Sequence, residues 1–222
     1  VASVPAEPAL TAVAVALGER REYVGRTLRA GVLLALFLSA CQASEPERAP
    51  KSAPPPPDDP TREPDVLFWA TPDPMVDKML ELAKVSDKDL VYDLGCGDGR
   101  ILIRAAKKYG ARAYGVDIDA KLVDQANAHA KKAGVSHLVK IERADIFTID
   151  LTPATVVTLY LLPWMNKKLI PQLAKLESGS RIIAYQFPIP GVEPEHVFDF
   201  DEPKKTHRFY LWEHGIKVPE QN

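Results

Sequence analysis

From Asp65 onward, short apolar runs alternate with stretches in which apolar residues recur every three or four positions. Buried strands separated by amphipathic helices give that pattern, and their alternation marks a parallel α/β sheet. The first periodic stretch opens at Asp73-Pro74, read as an N-cap followed by proline at the first helical position; Met75, Val76, Met79, Leu80 and Ala83 form its apolar stripe. Leu90 to Leu94 is predicted as a buried strand, and a helix after Gly99 runs to about Tyr109, with Gly110 as its C′ residue. Ala113 to Val116 makes a second strand. Asp119 then caps a helix in which Leu122, Val123, Ala126, Ala130 and Ala133 share a face, until Gly134 ends it. Leu138 to Ile141 and Val156 to Leu162 supply strands three and four. A helix from about Asn166 to Glu177 leads through Ser178-Gly179 to a fifth strand, Arg181 to Phe187. Val197 to Phe200 and Phe209 to Trp212, separated by a polar segment, read as a closing antiparallel pair. The expectation is an α/β fold with a doubly wound seven-stranded sheet, mostly parallel and finished by a C-terminal antiparallel hairpin.

Upstream of Asp65 the pattern changes. Arg26-Thr27-Leu28-Arg29, the apolar stretch Ala30 to Leu38, and Ser39-Ala40-Cys41 read in order as the basic, apolar and small-residue parts of an export signal. The apolar run is about half of the roughly 20 residues that a membrane-spanning helix needs, so a signal is expected here, not a permanent anchor. Leu38-Ser39-Ala40-Cys41 also resembles a bacterial lipobox, which implies a lipid on Cys41 and a place in the cell envelope. Residues 1–23 are long for the start of such a signal, and translation from a downstream position such as Val24 would leave them unmade. Residues 42–64, centred on Pro54 to Pro57, are rich in Pro, Ala, Ser and charge and lack apolar periodicity. They are expected to form a disordered tether of polyproline-like stiffness. Residues 65–222 remain as one folded domain, which suits a chain of 222 residues.

Composition removes several function classes. A net charge of -2 and a pI of about 6.2 provide no basic field that would hold a polyanion by counterion release, so charge does not suggest nucleic acid as a partner. The two cysteines, Cys41 and Cys96, lie in segments of different character, which argues against a disulfide framework. His129, His137, His196, His207 and His214 are scattered without metal-ligand spacing, and no metal site is expected.

Chemistry enters at Val91-Tyr92-Asp93-Leu94-Gly95-Cys96-Gly97-Asp98-Gly99-Arg100, where a buried strand turns into a helix. Glycines let the backbone turn tightly and approach a ligand, and the helix start offers free N–H groups. A dinucleotide fingerprint would read Gly-x-Gly-x-x-Gly, but here the third glycine comes one residue early and an aspartate stands two before the first. The spacing Asp-x-Gly-x-Gly-x-Gly resembles motif I of class I S-adenosylmethionine-dependent methyltransferases. The resemblance implies a Rossmann-like sheet and S-adenosylmethionine as cofactor, held around Asp93, Gly95, Gly97 and Gly99, with Asp93 and Gly95 near the methionine end. Asp117, at the end of the second strand and about 20 residues after Gly97, stands where a carboxylate can accept from both ribose hydroxyls. Asp119 suits a helix cap better. Asp145, after the third strand, matches the position that resembles the contact to the adenine amine. Cys96 reads as a small filler, and Arg100 as a helix-surface residue more than a partner of the methionine carboxylate.

After the fourth strand, many methyltransferases acting on amides or bases carry Asn or Asp followed by Pro-Pro-aromatic. This chain has Thr158-Leu159-Tyr160-Leu161-Leu162-Pro163-Trp164-Met165-Asn166, which argues against DNA adenine and glutamine as targets. With Asp145-Ile146-Phe147, the stretch Ala154 to Leu161 resembles the small lysine methyltransferases of the ATP-synthase c-subunit and the adenine nucleotide translocase, and their prokaryotic relatives. Phe68-Trp69-Ala70-Thr71-Pro72 matches their aromatic-Thr-Pro element, and the similarity runs from about Leu67 to Phe187. It implies transfer of a methyl group to a protein lysine. Thr71 joins the cofactor-binding set, while Tyr160, Trp69 and Phe68, with Trp164, line the acceptor pocket without a dedicated base. Such a pocket needs little more: in-line displacement requires positioning and exclusion of water. A desolvated lysine beside a sulfonium favours its neutral form, and aromatic faces hold the methylated ammonium.

Two other readings share the fold: transfer to a small molecule or RNA, and a non-catalytic envelope lipoprotein that only binds the ligand. The second is motivated by supply, because the methyl donor is made in the cytoplasm and consumed stoichiometrically. If the N-terminal signal is not functional, the expected location is cytoplasmic.

Overall fold

The computed structural model describes residues 66–203 and 205–216. The expectations for the signal, for Cys41 and for the proline-rich tether lie outside the described residues. Eleven elements follow in chain order: α1 (Asp73–Leu82), β1 (Leu90–Leu94), α2 (Arg100–Tyr109), β2 (Arg112–Asp117), α3 (Ala120–Lys132), β3 (Val139–Arg143), β4 (Val156–Leu159), α4 (Pro163–Leu173), β5 (Arg181–Tyr185), β6 (His196–Glu202) and β7 (Lys205–Trp212).

The strands form one seven-stranded sheet in the order β3-β2-β1-β4-β5-β7-β6. β3, β2, β1, β4 and β5 pair in parallel, and β7 runs antiparallel to both β5 and β6. β1, β2, β4 and β5 are buried for most of their length because helices and loops cover both faces, which is why they read as near-continuous apolar runs. One face packs Met79 and Leu80 of α1, Leu102 and Ala105 of α2, and Val123 and Ala126 of α3 against Val91, Ala113, Ile183 and Phe209. The other packs Met165, Leu169 and Leu173 of α4 against Leu94, Val116, Leu159 and Ile182. Chain direction reverses about β1, whose neighbours are β2 on one side and β4 on the other, so the crevice for a ligand opens at the carboxyl ends of these strands.

Several boundaries differ from the sequence expectation, the clearest of them near prolines. α1 is capped by Pro72, whose carbonyl accepts from Met75 and Val76; Asp73 already lies inside the helix and makes no side-chain cap. α4 starts one turn early, at Pro163, because proline's fixed φ suits a first helical position and Leu162 before it is extended. β4 ends at Leu159, short of Leu162. By contrast, Asp119 caps α3 as expected, accepting from the Lys121 N–H at 2.8 Å. Among the described residues, no helix is long and apolar enough to cross a membrane.

Candidate active site

The glycine loop between β1 and α2 is fixed by its own backbone. Gly95 and Cys96 both donate to the Val116 carbonyl (2.9 and 3.0 Å), and Gly99 donates to that of Cys96 (2.9 Å). Gly97 has φ +54°, in the left-handed region, and a Cβ there would lie 2.0 Å from Cε2 of Phe68. Only glycine therefore lets the segment before α1 lie on this loop. Phe68 is half-exposed above it and Thr71 is buried beside it. Arg100, expected on the helix surface, ties the two parts together. Its Nε and Nη2 donate to Asp98 (3.0 and 2.7 Å) and its Nη1 to the Thr71 carbonyl (2.9 Å). Burial works against ionised Asp98, but the guanidinium holds its carboxyl below the usual range.

Two acids close the loop from below. Asp117 is 8% exposed; its Oδ2 accepts from the Gly97 N–H (2.8 Å) and its Oδ1 from the Asp119 N–H (3.0 Å). A carboxylate offers about four acceptor sites, so acceptor capacity remains for a ligand hydroxyl. Burial raises its pKa. Asp93 is paired in register with Thr158 of β4, whose hydroxyl donates to it at 2.7 Å. Burial pushes the Asp93 carboxyl up to about 7, against the Thr158 hydrogen bond and with help from the charges of Asp117 and Asp98. No cation among the described residues pairs with it. Asp145, also buried, closes the turn after β3, with Oδ1 accepting from the Phe147 N–H at 3.0 Å. Cys96 is buried and its thiol pKa is raised by that burial, which fits a filler and not a thiolate nucleophile.

On the side of β4, Tyr160 meets aromatic residues the sequence did not single out. Its ring stands edge-on to Tyr185 (4.7 Å, 63°) and nearly parallel to Phe187 (6.4 Å, 15°). Burial raises the Tyr160 pKa, so the phenol is neutral at physiological pH. Of the other expected pocket aromatics, Phe68 lies on Gly97, Trp69 is 77% exposed, and Trp164 stands 6.2 Å from Phe147. Phe187 is held by two amides. Asn166 Nδ2 donates to the carbonyls of Phe187 and Pro188, each at 3.2 Å, and Gln186 has φ +65°, rare for a residue with a Cβ. Its N–H donates to the Arg208 carbonyl at 2.8 Å. A lone Asn or Gln carries no sequence signal for such a task; the topology that brings the loop after β5 to the start of α4 supplies it.

Residues 93–196 match the family model described as the ANTKMT methyltransferase domain. A protein-lysine N-methyltransferase of Saccharolobus islandicus (strain REY15A) is 42% identical over 151 residues, covering 67% of this chain and 94% of that protein. The chain belongs to this methyltransferase family. The lysine N-methyltransferase of the ATP-synthase c-subunit from Xenopus laevis is 34% identical over 110 residues, and this chain spans about half of its length (48%). Among solved structures, an RNA methyltransferase from Salinibacter ruber in complex with S-adenosyl-L-homocysteine is 44% identical, with a TM-score of 0.65 and coverage of 69% of this chain and 98% of that one. The methyltransferase described here is S-adenosylmethionine-dependent, and its site fits that cofactor. It has a glycine cradle without Cβ atoms, a buried carboxylate that no cation among the described residues pairs with, and a second carboxylate with acceptor capacity left.

Proposed function

We propose that this methyltransferase N-methylates lysine side chains of a protein. The observation that carries the reading is the cluster of Tyr160, Tyr185 and Phe187 at the end of β4, in the place where amide- and base-modifying enzymes carry Asn or Asp with two prolines. The names of the relatives support it. Bound S-adenosylmethionine supplies a methyl group on a positively charged sulfonium. In this chain Asp117, itself fixed by the Gly97 N–H, would hold the ribose, Asp93 the ammonium of the methionine end, and Asp145 the adenine amine. Tyr160 and Phe187 present faces to an incoming ammonium and exclude water, which favours its neutral form. Its proton passes to solvent, so no side chain needs to act as base.

The similarity to the Salinibacter ruber protein, named an RNA methyltransferase, supports RNA as a second reading. Cell extract treated with labelled S-adenosylmethionine and the enzyme decides between them. Label that survives nuclease, is released by protease and is recovered as methyl-lysine after hydrolysis is expected; label in nucleosides would replace the lysine reading with the RNA one. An envelope location through a lipid on Cys41 is a separate proposal, tested by incorporation of a labelled palmitate analogue in cells.

A further inference from the structure

We propose that Lys205, at the start of β7, is itself a methyl acceptor, so that the chain methylates its own closing hairpin; this rests on the lysine reading above. β7 runs antiparallel to β5 with Tyr185 opposite Phe209, so Lys205 extends past Tyr185 at the carboxyl end of the parallel strands, where Tyr160 and the glycine loop also lie. Alternate residues of a strand share a face. On β7 that face is fixed by His207, whose Nδ1 is hydrogen-bonded to the Tyr185 hydroxyl, and by Phe209, whose ring lies 5.1 Å from that of Tyr185. Lys205 belongs to the same set, and its Nζ stands 5.9 Å from the centre of the Tyr185 ring. Tyr185 in turn packs edge-on against Tyr160. The ammonium of Lys205 therefore already stands at the Tyr185 edge of the aromatic cluster that an acceptor lysine has to reach.

Its surroundings separate it from the other lysines that stand over rings. Lys78, Lys108 and Lys140 each pair with a carboxylate, whereas among the described residues no carboxylate pairs with Lys205. Lys168 also stands over a ring, Phe147 at 3.7 Å, but beside the turn that follows β3 and not beside Tyr160. In the transfer, Nζ first loses a proton to water. Its lone pair then forms a bond to the sulfonium methyl carbon while the carbon–sulfur bond breaks, and that electron pair stays on sulfur, leaving S-adenosylhomocysteine and a methylated Lys205.

The full chain, incubated with S-adenosylmethionine carrying a deuterated methyl group, tests this by peptide mass spectrometry. An added lysine-rich protein is assayed in the same preparation, and donor binding is followed by calorimetry. Label at Lys205, at a rate per molecule independent of protein concentration, absent from Lys168 and lost in Lys205→Arg, is the expected result. Label on the added protein with none on Lys205 would overturn the proposal and leave the lysine reading standing. Donor binding with label on neither would overturn both. A rate per molecule that rises with protein concentration would overturn the intramolecular route.

Discussion

Asp93 sets a pH dependence whose sign follows from its burial. Its carboxyl titrates near 3.8 when exposed and near 7 in the folded chain. Below the first value both states hold the proton and nothing is lost. Between the two, the unfolded chain ionises while the folded one does not, so stability falls by about 1.4 kcal/mol per pH unit and levels off above about 7. Denaturation of the donor-free protein across this window should show the decline. Asp93→Asn, which keeps an acceptor for Thr158, should flatten it and raise stability at mildly alkaline pH, while weakening donor binding. An unchanged slope in the variant would mean that another group carries the effect. Gly97 makes a second, steric prediction. Alanine there must adopt a left-handed φ at a cost of about 1–2 kcal/mol and push the Phe68 ring away. Gly97→Ala is expected to lose donor affinity by calorimetry, and Phe68→Ala in the same chain should restore part of the folding stability but not the φ cost.

The elements meet through close contacts that a sequence pattern does not display. β2 lies against α2 so closely that a Cβ on Gly115 would come 2.2 Å from Cδ1 of Leu102 and 3.0 Å from Cys96. Gly115→Ala should therefore destabilise by about 1–3 kcal/mol in chemical denaturation, as overpacked cores do. Asn166, buried in α4, serves the carbonyls of Phe187 and Pro188 in the loop after β5, and Asn166→Ala leaves them without that donor. A loss of about 1–3 kcal/mol is expected, with a raised KM for the acceptor and little change in donor affinity, because Phe187 moves and the glycine loop does not. The order of strands and helices was legible because each is short, apolar and punctuated by Gly, Asp or Pro. Where two prolines competed, at Pro72 and Pro74, or where Pro163 marked a start and not a loop, boundaries shifted by up to a turn. β6 and β7 run longer than their apolar parts, since Arg208 pairs with Asp199 and Thr206 with Asp201 across an exposed, polar hairpin.

Across the whole molecule, the proposed donor half of the site was named from the motif resemblance, and its residues Asp93, Gly95, Gly97, Gly99 and Asp117 fall within two adjacent strands and one turn. Of the proposed acceptor half, Tyr160 was named from the resemblance, whereas Phe187, Asn166 and Lys205 were not, because they come from separate segments that only the sheet order β4-β5-β7 brings beside it. Phe68 and Trp69, neighbours in the chain, lie on the glycine loop and exposed to solvent. The proposed chemistry as a whole depends on the donor lying across the tops of β1 and β2, with Asp117 gripping its sugar. Calorimetric titration of the intact chain and of Asp117→Ala with S-adenosylmethionine measures this directly. Saturable one-to-one binding that weakens by more than about 1.5 kcal/mol in the variant is expected, since a charged hydrogen-bond acceptor is lost. Equal affinity in both proteins, or no binding to the intact chain, would contradict it.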